Sequence, residues 1–103
     1  MASATADFLG EKLEFHTSDI LVCADYLGGG YGVMGAAEIE AIRLFARLEG
    51  LLLDPVYTGR AAAGLIDLIR NGYFKPEEDV LFWHTGGTPA LFSEKYAGIA
   101  MGL

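Results

Sequence analysis

Apolar residues recur every three or four positions along two stretches of the chain, a spacing that predicts amphipathic helices. The first predicted helix spans residues 36–49 and the second spans residues 59–71, and a glycine closely follows each. The residues expected to face the core are Ala41, Leu44, Phe45 and Leu48 in the first helix and Ala62, Leu65, Ile66 and Ile69 in the second. Short helices are also predicted before Gly10 and from Pro89 onward.

Three other stretches, residues 20–24, 51–53 and 80–83, are continuously apolar instead of periodic. Such runs are typical of strands that are covered on both faces of a parallel sheet. Strands and helices would then alternate along the chain, as they do in α/β proteins. The pattern therefore predicts an α/β fold, a small three-layer unit with a short parallel sheet, in a single domain over residues 1–103.

The loops after the three predicted strands, residues 26–32, 54–59 and 84–88, are rich in glycine, aromatic and polar residues. Ligands bind at the carboxyl ends of parallel strands, so these loops are predicted to share one pocket. Ordinary turn chemistry is the alternative explanation. In particular, Thr58 stands where the hydroxyl of a helix N-cap would bind a free backbone N–H group.

Composition narrows the classes of function. Of the 103 residues, 52% are hydrophobic, which excludes a disordered chain, and the net charge of −7 argues against binding to nucleic acid. No apolar run approaches the roughly 20 residues of a membrane span, and the first residues lack a signal-peptide pattern, so a cytoplasmic protein is expected. The histidines and the cysteine lack metal-ligand spacing, so no metal site is predicted. Glu38 and Glu40 are expected to be solvated.

Three blocks of sequence, residues 25–33, 48–70 and 80–92, resemble the C-terminal third of the D-cysteine desulfhydrase and 1-aminocyclopropane-1-carboxylate deaminase family. They include the segments Asp25–Val33 (DYLGGGYGV) and Asp54–Arg60 (DPVYTGR). Members of this family are pyridoxal-phosphate enzymes of the tryptophan-synthase-β-like fold, also called fold type II. The resemblance thus implies pyridoxal 5'-phosphate as the cofactor and a small amino acid as the substrate.

The resemblance also implies roles for individual residues. Tyr57 matches the family tyrosine that faces the cofactor and substrate and takes part in proton transfer, and Tyr31 matches its partner in the same pocket. Thr58 matches the group that contacts the pyridine nitrogen, where a threonine resembles the desulfhydrases and the deaminases use glutamate. Thr85 and Gly86 match the wall beside the cofactor ring. Elimination from a sulfur amino acid would yield pyruvate, ammonia and sulfide.

Two family features have no counterpart in the matched blocks, namely the Schiff-base lysine and the glycine-rich phosphate cup. Lys12, Lys75 and Lys95 lack the neighbours expected of that lysine, and Arg60 replaces a usual lysine at the start of an exposed helix. We therefore expect the C-terminal portion of a lyase or deaminase, inactive alone, that joins a missing N-terminal segment or subunit or forms a homo-oligomer. The alternatives are a cysteate sulfo-lyase or deaminase within the family, or a non-catalytic α/β module that dimerises or binds a small ligand.

Overall fold

Helices and irregular segments make up the computed structural model, which describes residues 1–102. The α-helices are α1 (Ala2–Phe8), α2 (Ala36–Glu49), α3 (Thr58–Arg70) and α4 (Ala97–Met101), and 3-10 helices span Thr17–Asp19 and Thr88–Phe92. The predicted helices before Gly10, over residues 36–49 and 59–71, and from Pro89 onward are confirmed. None of the helices in the described part of the chain is long and apolar enough to cross a membrane.

The predicted parallel sheet is absent, because residues 1–102 contain no β-strand. A strand is stable only when a neighbouring strand takes up its backbone hydrogen bonds, and within the described residues no such bond joins segments 20–24, 51–53 and 80–83. Two of these segments also lie in solvent, since Leu21 is 87% exposed and Leu81 is 80% exposed. The predicted α/β fold class is therefore wrong, and the structure is helical.

The core lies between α2 and α3. Its fully or almost fully buried members are Ala41 and Ile42 of α2, Ala62 and Ala63 of α3, Leu53 of the segment between these helices, and Leu91 of the second 3-10 helix. Alanines on both facing surfaces let the two helices approach closely. Phe45 packs against Phe82 at the edge, with ring centroids 5.3 Å apart. Leu48 and Ile69, predicted to face the core, are instead 70% and 54% exposed, because nothing in the described chain reaches the far ends of their apolar stripes.

Much apolar surface is left uncovered. The accessible surface is 7725 Å², whereas a compact protein of 11.0 kDa has about 5,600 Å². The radius of gyration is 16.1 Å, against about 13 Å for a compact chain of this length. The excess surface includes Leu21, Val22, Leu81 and Trp83, each more than three-quarters exposed. The packed core lies at α2 and α3, and these two helices with the loops before them carry the candidate site.

Candidate functional site

Two tyrosines predicted to share a pocket are in direct contact. The phenol oxygens of Tyr31, in the glycine-rich loop before α2, and Tyr57, just before α3, lie 2.8 Å apart and share a hydrogen bond. Their rings meet edge to face, with centroids 5.9 Å apart and an interplanar angle of 68°. Both side chains are exposed, at 79% and 59%. The pair therefore presents two hydroxyl groups to any molecule that binds beside it.

An open groove of about 530 Å³ runs from this pair along the exposed side of α3. Its lining is mainly apolar and consists of Cys23, Tyr26, Leu27, Tyr31, Val56, Tyr57, Arg60, Ala61, Gly64, Leu65 and Leu68. Tyr26 donates a hydrogen bond of 2.8 Å to Asp67, which raises the pKa of Tyr26 to about 12. The groove has the volume of a small-molecule site, with a few hydroxyl groups on apolar walls.

Thr58 lies beside the tyrosine pair in the chain but is 2% exposed. Its hydroxyl donates to Oδ1 of Asp54 at 2.7 Å and accepts the backbone N–H of Asp54 at 2.8 Å. The hydroxyl thus binds a backbone N–H, as the turn explanation expected, but this N–H belongs to the preceding loop and not to the helix. The role of Thr58 toward a pyridine nitrogen stays a prediction.

Asp54 is the residue that caps α3. Its buried carboxylate accepts the backbone N–H groups of Val56, Tyr57 and Thr58 at 2.7–2.8 Å, in addition to the Thr58 hydroxyl. Burial of this side chain opposes its ionisation, but the hydrogen bonds from Thr58, Tyr57 and Val56 outweigh burial. The pKa of Asp54 therefore lies below its ordinary value of 3.8. A permanent negative charge under the N-terminus of α3 holds the segment that carries Tyr57 in place.

The acidity of Tyr57 is also altered. Its hydrogen bond with Tyr31 and repulsion between the two phenolates are the main causes that raise the pKa of Tyr57 above its ordinary value of 10.0, and Asp54 adds to the effect. The phenol of Tyr57 therefore keeps its proton at neutral pH. In that state it can donate a hydrogen bond or give up a proton to a stronger base.

The third predicted loop, residues 84–88, approaches the site from the side of Asp54. Nδ1 of His84 accepts the N–H of Gly86 at 3.0 Å, which assigns the ring proton to Nε2, and Nε2 donates to the carbonyl of Leu52 at 3.1 Å. Gly87 has φ +87° and passes so close to Asp54 that a Cβ would lie 2.8 Å from its Cγ. Thr85 is exposed.

The structure therefore brings some of the predicted site residues together and leaves others apart. Tyr31 and Tyr57 both line the groove, whereas Thr58, Thr85 and Gly86 do not. Thr58 is buried, and its hydroxyl is occupied by hydrogen bonds with Asp54. The loop that holds Thr85 and Gly86 reaches the same helix N-terminus through its contact with Asp54. The pocket that was predicted for all three loops is thus lined by residues of the first two loops and by none of the third.

Sequence reasoning missed three residues that hold the site together. Asp54 caps α3, and Glu38 forms an ion pair of 3.0 Å with Arg60. Glu38, expected to be solvated, is 6% exposed. A signal was present in the sequence, because Glu38 stands three residues after Gly35 at the start of α2, and its Oε2 accepts the Gly35 N–H at 3.0 Å. That spacing is typical of a side chain that folds back on a helix N-terminus.

No lysine lines the groove in the part of the chain that the structure describes. Lys12 and Lys75 are exposed elsewhere on the surface. Lys95 contacts the loop that carries Tyr31, since its ammonium group donates a hydrogen bond of 2.9 Å to the carbonyl of the neighbouring Gly32. Within the described residues, no group of three or more histidine, cysteine or carboxylate side chains is arranged to hold a metal ion.

A sequence model of the family described as pyridoxal-phosphate dependent enzyme matches residues 2–86. The matched region contains both tyrosines of the pair, the Asp54 cap and the glycine-rich loop, and it ends inside the third loop, at Gly86.

Proposed function

The chain belongs to the family of pyridoxal-phosphate dependent enzymes, and we propose that it forms the C-terminal portion of a lyase or deaminase that acts on a small amino acid. The proposed activity is most like that of a D-cysteine desulfhydrase, with pyruvate, ammonia and sulfide as products. The observation that carries the proposal is the pair of exposed, hydrogen-bonded phenols of Tyr31 and Tyr57 at an apolar groove.

The described residues do not by themselves provide a complete site for pyridoxal phosphate. The cofactor needs an amine for its aldehyde and donors for its phosphate, and the groove is lined by no lysine. Arg60 lines it, but its guanidinium group already donates to Glu38 and to two backbone carbonyls. The amine and the phosphate donors are therefore proposed to come from another segment or subunit of the assembled enzyme.

The tyrosine pair has two roles in this proposal. One phenol donates to the other, which leaves the second hydroxyl proton free for a hydrogen bond to the amino-acid substrate. The raised pKa of Tyr57 keeps this residue protonated, so it serves as a proton donor and not as a base at neutral pH. A bond that raises the pKa of Tyr57 is one that its hydroxyl donates to Tyr31, so the free proton of the pair lies on Tyr31, and Tyr57 can replace that proton once Tyr31 has passed it to a bound substrate.

The surroundings of Thr58 favour the desulfhydrase over the deaminase within the family. Its hydroxyl lies 2.7 Å from Oδ1 of Asp54. A glutamate at this position, the residue that the resemblance implies for deaminases, would bring a second carboxylate against that buried charge. Like charges at such a distance repel strongly where water is excluded. A neutral hydroxyl suits this position. The residues that would distinguish sulfide from sulfite as leaving group, as in a cysteate sulfo-lyase, are proposed to lie outside the groove.

The uncovered apolar surface supports association with a further segment, a subunit or a second copy of the chain. The accessible area exceeds that of a compact protein by about 2,100 Å², and stable protein interfaces bury at least about 1,200 Å² in total. The exposed residues Leu21, Leu81 and Trp83 belong to that surface. A non-catalytic module that dimerises would use the same surface, so activity and association must be measured separately.

Complementation tests the proposal directly. The N-terminal portion of a family desulfhydrase, truncated where the matched blocks begin, is mixed with this chain and pyridoxal phosphate. Pyruvate and sulfide are then measured with D-cysteine, cysteate and 1-aminocyclopropane-1-carboxylate as substrates. We expect turnover of D-cysteine with the native chain and with Tyr73→Phe, an exposed tyrosine outside the groove, but at least tenfold less with Tyr57→Phe. Equal activity of the two variants would contradict the role of Tyr57.

A second measurement asks whether this chain carries its own cofactor amine. The purified chain is mixed with one equivalent of pyridoxal phosphate, reduced with borohydride and mapped by peptide mass spectrometry. We expect weak labelling spread over the exposed Lys12 and Lys75. Stoichiometric trapping on one lysine, Lys95 above all, would show that the amine need not come from another segment. Dimerisation without turnover in any complemented mixture would favour the non-catalytic module.

A further inference from the structure

The loop that carries Tyr31 is held from the side of α3 by one arginine. Arg60 donates from Nη1 to the carbonyl of Gly30 at 3.1 Å and from Nη2 to the carbonyl of Val33 at 2.7 Å. These two carbonyls lie on either side of Tyr31. The planar guanidinium fork thus spans the loop and fixes the backbone on both sides of the tyrosine.

Arg60 is itself held in place. Its Nε donates to Oε1 of Glu38 at 3.0 Å, and the other carboxylate oxygen of Glu38 accepts the N–H of Gly35. The two side chains are only 16% and 7% exposed. Every nitrogen of the guanidinium group is therefore engaged with a protein acceptor. Two of these three bonds go to the loop that carries Tyr31, so Arg60 holds that loop.

A second anchor reaches the same loop from the C-terminal part of the chain. The hydroxyl of Tyr96 donates to the carbonyl of Gly32 at 2.6 Å, and Lys95 donates to the same oxygen at 2.9 Å. Tyr96 is 8% exposed, so this bond is sheltered from water. Gly32 has φ +66°, and a Cβ there would lie 3.2 Å from the Tyr96 oxygen. The close approach of Tyr96 therefore depends on a glycine in the loop.

We propose that Arg60 and Tyr96 are positioning residues that place the Tyr31 phenol against Tyr57. Gly30, Gly32 and Val33 present their carbonyls to these two side chains, so the backbone around Tyr31 is fixed from two directions. The importance of this arrangement for catalysis rests on the proposed function. The positioning itself does not depend on the proposed function, because the contact between the two tyrosines can be measured in the absence of any catalysis.

Titration of the tyrosine rings by NMR, with carbon-13 at the phenol carbon, tests the positioning. Tyr31→Phe removes the hydrogen bond and defines how far the pKa of Tyr57 falls when that contact is lost. We expect Arg60→Met and Tyr96→Phe each to lower the pKa of Tyr57 toward that value, and the double variant to lower it furthest, with Lys95 as the remaining contact to the Gly32 carbonyl. In a Tyr31→Phe background neither substitution should lower it further.

The direction in which the pKa of Tyr57 changes distinguishes a positioning role of Arg60 from a purely electrostatic effect of its charge. Loss of a nearby positive charge makes a phenolate less stable, so Arg60→Met acting through charge alone would raise the pKa of Tyr57. Loss of the Tyr31 contact lowers it. Arg70→Met is the matched control, since Arg70 also bridges α3 to α2, through Glu40 at 2.7 Å, but does not touch the loop. It should leave the Tyr57 titration unchanged.

Two results would overturn the proposal. The first is a Tyr57 titration in the Arg60→Met, Tyr96→Phe double variant that matches the native chain. The second is a fall in the pKa of Tyr57 that is equally large in the Tyr31→Phe background. If Arg60→Met loses its helical circular dichroism, Tyr96→Phe alone decides, because it removes one oxygen and keeps the buried ring. A failed desulfhydrase assay would leave these titrations unaffected, so the two proposals fail separately.

Discussion

Replacement of Asp54 by asparagine should lower the free energy of unfolding by about 3 kcal/mol at neutral pH. The native carboxylate accepts four hydrogen bonds of 2.7–2.8 Å, two at each oxygen, from Val56, Tyr57 and the N–H and hydroxyl of Thr58. An asparagine has one accepting oxygen, and its NH₂ group would face two of the donors. Two hydrogen bonds to a charged acceptor are lost, at about 1.5 kcal/mol each.

The effect of this substitution should depend on pH. Because the pKa of Asp54 is below 3.8 in the folded chain, its ionised form stabilises the fold above the unfolded-state value. That contribution is lost as the pH falls through the folded-state pKa. The difference between the native chain and Asp54→Asn should thus be full at neutral pH and shrink below about pH 4. Glu38 and Glu40, whose pKa values are also lowered, are present in both proteins and cancel from the difference.

Urea unfolding followed by helical circular dichroism measures both effects. Asp67→Asn is the matched control, because Asp67 is an exposed carboxylate on α3 that accepts one hydrogen bond, from Tyr26. We expect a clearly smaller loss for the control. If Asp54→Asn destabilises the chain no more than Asp67→Asn, or if its deficit is as large at about pH 3 as at neutral pH, the hydrogen-bonded carboxylate is not what holds the start of α3.

Two further predictions follow from close contacts near the groove. Gly59→Ala should lower the free energy of unfolding in urea by about 1–3 kcal/mol, because the new Cβ would lie 2.9 Å from Cγ1 of Ile42. Gly98→Ala is the control and should not lower it, since a Cβ there would have nothing within 4 Å. Equal losses of stability in the two variants would refute the packing argument. Asp67→Asn should lower the pKa of Tyr26 from about 12 toward 10.0, as measured by ring titration in NMR, and an unchanged value would assign the shift to another cause.

The helices and the key tyrosines were predictable from the sequence. A three-to-four-residue apolar period identified α2 and α3, because that spacing places side chains on one face whatever the helix packs against. Gly50 ends α2 with φ +67°, a conformation for which glycine is suited by its lack of a Cβ. The resemblance to a family marked Tyr31 and Tyr57 as partners, and their oxygens lie 2.8 Å apart.

The sheet could not be judged from the sequence alone. Apolar runs such as residues 20–24 and 80–83 have the composition of buried strands, but a strand also needs a neighbour for its backbone hydrogen bonds. No described segment of this chain supplies that neighbour, so both runs stay irregular and exposed. The residue types show that a segment is apolar enough to be buried in a sheet. Whether a neighbouring strand is available for its backbone hydrogen bonds depends on the rest of the fold.

The polar contacts that hold the site were decided by tertiary structure. Arg60 and Glu38 are charged residues on helices that a linear pattern assigns to solvent, and they meet because α2 packs against α3 beside the glycine-rich loop. Tyr96 reaches Gly32 across 64 positions of sequence. The sequence by itself determined the helices and the residue types at the groove. The folded chain decided which charges are buried together and which loop they hold, because such contacts depend on distances between segments that no local pattern records.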